Sequence, residues 1–209
     1  MSKLVVVSAG LSVPSSTRLL ADRLAQATAG RTGAGIQVIE VRDLAVEIAH
    51  NFTNGFAGRD LAAAQQAVAE ADGLIVVTPV FSASYSGLFK AFFDVLDQGA
   101  LDGKPVLIAA TGGSARHSLV LDHALRPLFS YLKAVVVPTG VYAASEDWGA
   151  EGLPERVERA AGQLAALMAG PARLPAARTA QEDDPAVVRV GELETVPFEQ
   201  ALQALRRPS

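Results

Sequence analysis

Cysteine is absent from all 209 residues. That absence removes structural disulfides, thiolate zinc sites and cysteine nucleophiles together. No apolar stretch approaches the ~20 residues that a membrane-spanning helix requires. Basic residues never gather into a run and the net charge is −4, which argues against a nucleic-acid surface. Neither a nucleophile triad nor a paired-carboxylate arrangement is visible. The opening MSKLVVVSAG reads as a strand and a loop, not as a charged segment leading into a long apolar one, so no leader is expected. A soluble, cytoplasmic protein is the expectation. A chain of this length buries roughly 70% of its unfolded surface on folding, so its core needs no staples.

What is present is a regular alternation. Short Val-, Ile- and Leu-rich runs without polar alternation occur at Leu4–Ser8, Ile36–Val41, Leu74–Thr78, Pro105–Ala110 and Ala134–Val137. Strands covered on both faces have this character. Helix-length segments lie between them at Ser16–Ala29, Asp60–Ala71, Gly87–Leu96 and about Ser118–Leu132, with a fifth at Pro154–Met168. Leu20, Leu24 and Ala27 share one face of the first, and Leu88, Phe92 and Val95 one face of the third. Right-handed crossovers turn such an alternation into a doubly wound, five-stranded parallel sheet with helices on both faces. The spacing therefore predicts one α/β domain over residues 1–169. Beyond it, 170–209 reads as a Pro/Ala-rich linker and a C-terminal arm. Pro197 can open a short helix there with Phe198, Leu202 and Leu205 as an apolar stripe.

Ligands of an open doubly wound sheet sit beyond the carboxyl ends of its strands, where the strand order reverses. The loop after the first strand lacks both G-x-G-x-x-G and the Gly-Lys-Ser/Thr ending of a triphosphate loop. It carries hydroxyls instead, at Ser12, Ser15, Ser16 and Thr17, followed by Arg18 at the helix start. One serine can simply cap the helix. Four hydroxyls exceed that need, and a phosphomonoester at the helix N-terminus, with Arg18 as a charge-assisted contact, uses them.

The loop after the third strand, TPVFSASYSGLFKAFFD from Thr78, sets Phe81 and Tyr85 among small residues, so a flat ring can approach the backbone. Pro79 is expected to end the strand, and Phe81 either covers a ring or folds back into the core. After the fourth strand, TGGSARHSL from Thr111 offers Gly112 and Gly113 for close approach or for a plain turn. Arg116 and His117 can face solvent, meet an anionic ligand or cap the next helix. Taken together the loops describe a phosphate cradle beside two small-residue walls, and among mononucleotides FMN fits that outline best.

These three segments resemble the NADPH-dependent FMN reductase family, flavodoxin-like enzymes. They resemble most the branch that supplies reduced flavin to two-component, luciferase-like monooxygenases, including sulfonate-using systems. The resemblance covers about Lys3 to Met168. It implies that Ser12, Ser15, Ser16, Thr17 and Arg18 grip the FMN phosphate. It further implies that Pro79, Val80, Phe81 and Ser82 contact the flavin ring, and that Thr111, Gly112, Gly113 and Ser114 form the third wall. The chain departs from the family's Gly-Ser opening of the first loop, reading Ser8-Ala9-Gly10. Implied with the family are hydride transfer from NAD(P)H to FMN and delivery of reduced FMN to a flavin-dependent monooxygenase. A homodimer or homotetramer is implied too, in which Phe89, Phe92 and Phe93 of the third helix pack against a mate; in a monomer the same aromatics fill the intramolecular core. An FMN-retaining quinone or azo reductase and a flavodoxin-like electron carrier are the rival readings.

Overall fold

The computed structural model describes residues 2–170; the expected C-terminal arm lies outside the described residues. Strand β1 (Lys3–Ser8) leads through a loop into helix α1 (Ser16–Thr32), and β2 (Gly35–Glu40) follows. A short 3₁₀ turn, Val41–Leu44, joins β2 to helices α2 (Ala45–Asn54) and α3 (Arg59–Glu70). Then come β3 (Gly73–Phe81), the two-residue β4 (Ser84–Tyr85), helix α4 (Gly87–Asp94) and β5 (Pro105–Gly112). The chain closes with α5 (Arg126–Tyr131), β6 (Val135–Val136), β7 (Val141–Ala144) and α6 (Gly152–Met168).

All pairings in the main sheet are parallel, in the order β2-β1-β3-β5-β6, with β7 also on β5. The order reverses between β1 and β3, which places the ligand edge at their carboxyl ends. Leu4 and Val6 face the layer that holds α1 and α6, while Val5 and Val7 face the opposite core with Phe89, Phe92 and Phe129. Both faces are therefore buried, and this is why the strands read as unbroken apolar runs. Ser15 caps α1 through its Oγ, and Gly33 closes the helix with φ 65°, a conformation that costs glycine little.

Four expectations are corrected. Pro79 does not end β3, which runs on to Phe81 and pairs Pro79 with Thr111. Val77 turns its carbonyl toward β1, where it accepts from the Ala9 N–H at 2.9 Å. Pro79, two residues on, faces the same way, beyond the last β1 residue. Its missing N–H therefore removes no ladder bond.

The helix expected over about Ser118–Leu132 forms, but not as one α-helix: after a 3₁₀ turn at Ala115–His117, its first part is a π-helical turn at Leu121–Leu125 and only then comes α5. Pro127 is the physical reason, since it has no N–H to give and its ring crowds the carbonyl four residues back. The fifth strand is split rather than continuous over Ala134–Val137. β6 pairs with Pro105–Val106, and after Pro138 the chain returns as β7 against Ala109–Gly112.

Finally, Phe89, Phe92 and Phe93 do not wait for a mate. All three are buried, with centroids 4.8 Å apart for Phe89–Phe93, 5.3 Å for Phe92–Phe93 and 4.9 Å for Phe93–Phe129. These are ordinary spacings for edge and tilted aromatic pairs. Helix α2, not foreseen from the strand–helix alternation, turns Ile48 into this same core.

Candidate functional site

A cleft of about 410 Å³ opens at the carboxyl edge of the sheet, where β1 and β3 diverge. From the first loop it is lined by Leu11, Ser12, Ser15, Ser16 and Thr17; from the end of β3, by Pro79, Val80 and Phe81; from the end of β5, by Thr111, Gly112 and Gly113. Ser145, just after β7, completes it.

The hydroxyls of the first loop divide their work. Ser15 Oγ accepts from the Arg18 N–H at 3.2 Å, so its own proton stays free to donate. Ser12 Oγ donates to the Pro14 carbonyl at 2.9 Å. Thr17 Oγ1 is buried and bonds Thr111 Oγ1 at 2.8 Å, tying the first turn of α1 to the end of β5. Ser16 is exposed and its hydroxyl has no hydrogen-bond partner among the described residues. The first intrahelical donor is Leu19, to the Ser15 carbonyl at 3.0 Å. The N–H groups of Ser16 and Thr17 precede it and lack an intrahelical acceptor, as the first N–H groups of any helix do. Two backbone donors and two hydroxyl donors thus meet the positive end of the α1 dipole, a cradle for an anion. Gly10 keeps the cradle compact, because a Cβ there would overlap Ser15 Oγ.

Arg18 does not join the cradle. Its Nε bonds Asp22 Oδ1 and its Nη1 bonds Glu40 Oε1, each at 2.7 Å. A charge already shared between two carboxylates anchors α1 to β2 instead. Arg42 supports the loop from outside by donating to the Ser12 carbonyl at 3.0 Å.

The second wall is a tight hairpin. Val80 pairs with Tyr85 and Phe81 with Ser84, leaving Ser82 and Ala83 as the two turn residues. Their φ angles are 48° and 64°. Two successive positive φ values make the turn type I′, usually written Asn-Gly. Thr78 braces its base, accepting the Ser86 N–H at 3.0 Å on a buried Oγ1. Ser86 then caps α4 by accepting the Phe89 N–H at 3.1 Å. Phe81 stays 46% exposed at the rim, so it does not fold back into the core. Ser82 sits at the exposed tip, away from the cleft lining.

In the third wall Gly112 is required by its neighbour, since a Cβ there would overlap the Tyr142 hydroxyl. That hydroxyl donates to the Ser114 carbonyl at 2.8 Å. Ser114 therefore shapes the loop from behind and does not line the cleft. Burial, aided by Glu146 and Asp147, pushes the Tyr142 phenol above its ordinary range, so it remains a donor. Asp147 behaves oppositely. Burial alone would raise its carboxyl, but the Ala144 N–H and the Arg156 guanidinium outweigh that and hold it below the usual value.

Ten of the thirteen residues named from sequence therefore surround one cleft, and Arg18, Ser82 and Ser114 stand beside it. Leu11 and Ser145 were missed. The signal for Ser145 lay in the second apolar run, Val141–Ala144, which continues the fifth strand after Pro138.

A cleft with these donors fits a phosphate monoester, and its small-residue walls fit a flat ring. The family model for NADPH-dependent FMN reductases matches residues 2–149. An FMN reductase (NADPH) of Pseudomonas aeruginosa is 40% identical over 177 residues, spanning 82% of this chain and 95% of that protein. An NADH-dependent FMN reductase of Pseudomonas fluorescens is 41% identical over 169 residues, 81% of this chain and 90% of that one. Among solved structures, an oxidoreductase of Corynebacterium diphtheriae superposes with TM-score 0.79 at 50% identity, covering 81% of this chain and 97% of its own. An apo NADH:FMN oxidoreductase superposes with TM-score 0.71 at 32% identity, covering 80% and 90%. With a flavodoxin-like parallel sheet of five strand positions and this cleft at its reversal point, the chain belongs to the NADPH-dependent FMN reductase family.

Proposed function

We propose that the protein is an NAD(P)H-dependent FMN reductase whose cleft takes FMN as substrate and gives it up reduced. One observation carries this reading: the free donors of Ser15, Ser16 and the α1 N-terminus converge on a cavity walled by Pro79–Phe81 and Thr111–Gly113. When bound, the flavin supplies the hydride-accepting ring. The chain's part is to bind and orient it. Ser12, Ser15, Ser16 and Thr17 would hold the phosphate. The backbone and side chains of Pro79, Val80 and Phe81 and the glycines Gly112 and Gly113 would flank the ring, leaving one face for the nicotinamide.

Ser12, Ser16, Phe81 and Gly113 are all exposed along the rim, which supports exchange of flavin with solvent and hence delivery to a flavin-dependent monooxygenase. The working assembly is a homodimer or homotetramer, held by surfaces other than the buried α4 aromatics. Its site of action is the cytoplasm; among the described residues no helix is long and apolar enough to cross a membrane.

Anaerobic titration with NADPH and with NADH, with and without added FMN, tests the activity at the flavin absorbance band. Bleaching only with added FMN is expected. No bleaching under any condition overturns the reading. Flavin that stays with the protein through gel filtration would favour a retained cofactor passing electrons to a quinone or azo compound.

A further inference from the structure

A second cavity, of about 330 Å³, lies beside the flavin cleft. Ala83 and Ser84 wall one side of it, and Arg116, His117, Leu119 and His123 the other. The same two loops therefore wall both cavities. The β3–β4 hairpin gives Phe81 to the first and Ala83 to the second; the Gly-rich loop gives Gly113 to the first and Arg116 to the second. Arg116 follows Gly113 by three residue steps, at most roughly 11 Å even when fully extended. A dinucleotide is longer than that.

The charges around this edge differ in one respect. Arg18 is held by Asp22 and Glu40, Arg126 by Asp122, and Arg156 by Asp147. Arg116 makes no ion pair or side-chain hydrogen bond among the described residues, and neither do His117 and His123. The nearby acids are committed elsewhere: Asp122 meets Arg126 Nε at 3.1 Å, and Glu146 accepts the Ala115 N–H at 3.4 Å. Three nitrogen-bearing side chains and the Ser84 hydroxyl thus line a cavity in which no carboxylate among the described residues pairs with them. Guanidinium is the side chain best suited to phosphate oxygens.

We propose that this cavity receives a phosphate of the nicotinamide dinucleotide, with Arg116 as its charged partner and His117, His123 and Ser84 as further hydrogen-bonding groups. This rests on the reductase reading, in which the nicotinamide must reach the ring while the rest of the dinucleotide extends over one wall. Both candidate groups, the pyrophosphate and the adenosine 2′-phosphate, share the required chemistry.

Arg116→Ala separates them. Arg116 is exposed, so the variant should keep the wild-type circular dichroism and melting temperature. In calorimetric titrations with oxidised FMN present, affinity for NADP⁺ is expected to fall on the order of tenfold, as loss of one charge-assisted contact implies. FMN affinity, read by flavin fluorescence, should stay as it was. A loss confined to NADP⁺ assigns the cavity to the 2′-phosphate, and an equal loss for NAD⁺ and NADP⁺ assigns it to the pyrophosphate. In steady state KM for the dinucleotide should rise while kcat holds, and Arg116→Lys should restore part of the affinity. Unchanged affinity for both dinucleotides in the folded Ala variant overturns the proposal. Failure of the wild-type protein to oxidise either dinucleotide would instead overturn the reductase reading, so the two failures are distinct.

Discussion

Two residues in the walls stand where a Cβ is costly. Ala83 adopts φ 64°, a region that costs an L-residue roughly 1–2 kcal/mol and glycine almost nothing. Glycine's greater freedom in the unfolded chain offsets part of that gain. Ala83→Gly should therefore raise the melting temperature by about 2 °C, measured by thermal denaturation. Gly112 is the opposite case. A Cβ there meets the Tyr142 hydroxyl, which is itself bonded to the Ser114 carbonyl. Gly112→Ala should destabilise by about 1–3 kcal/mol, the usual cost of overpacking, read from urea denaturation. Ser16 tests the ligand side of the same cleft. Its hydroxyl has no partner to lose among the described residues, so Ser16→Ala should leave stability alone. Titration by flavin fluorescence should show FMN affinity weakened roughly three- to tenfold.

Between elements, two contacts set how the walls meet. The Thr17–Thr111 bond joins α1 to β5 inside the protein. Thr17→Val strands a buried hydroxyl and should cost about 1–3 kcal/mol. The double variant with Thr111→Val should cost less than the two singles summed, because neither hydroxyl is then left unpaired. Asp147 holds the turn after β7 through the Ala144 N–H at 2.8 Å and Arg156 at 2.9 Å. Its folded-state pKa lies below the unfolded value. The stability it confers is therefore complete above about pH 4 and lost as the pH falls through the lowered value. Asp147→Asn should melt below wild type at pH 7, and the gap should close as melting curves are taken toward pH 3. Element boundaries were the part least legible from sequence. Pro79 and Pro127 both look like strand or helix breakers, yet one sits in a strand and the other stands in the first turn of α5, just after the π-helical turn. The difference is which neighbour each would have bonded: Pro79 faces past the end of β1, whereas Pro127 falls where the helical ladder needs a donor.

Across the whole molecule, the order of strands determines which loops can share a ligand. Loops separated by about 60 and 30 residues meet because β1, β3 and β5 are adjacent. Alternation of apolar runs with helical segments made that topology readable, since strands buried on both faces have little other way to look. Hydroxyl and glycine clusters made the three walls readable as well. What composition and local pattern determined, then, was the parallel sheet, its helix layers and the general place of the cleft. The tertiary structure alone decided that Arg18 serves Asp22 and Glu40, that the α4 phenylalanines turn inward, and that Arg116 meets no carboxylate among the described residues. Each of these depends on which groups distant in the chain come within hydrogen-bonding or van der Waals reach, and a one-dimensional pattern does not contain that distance.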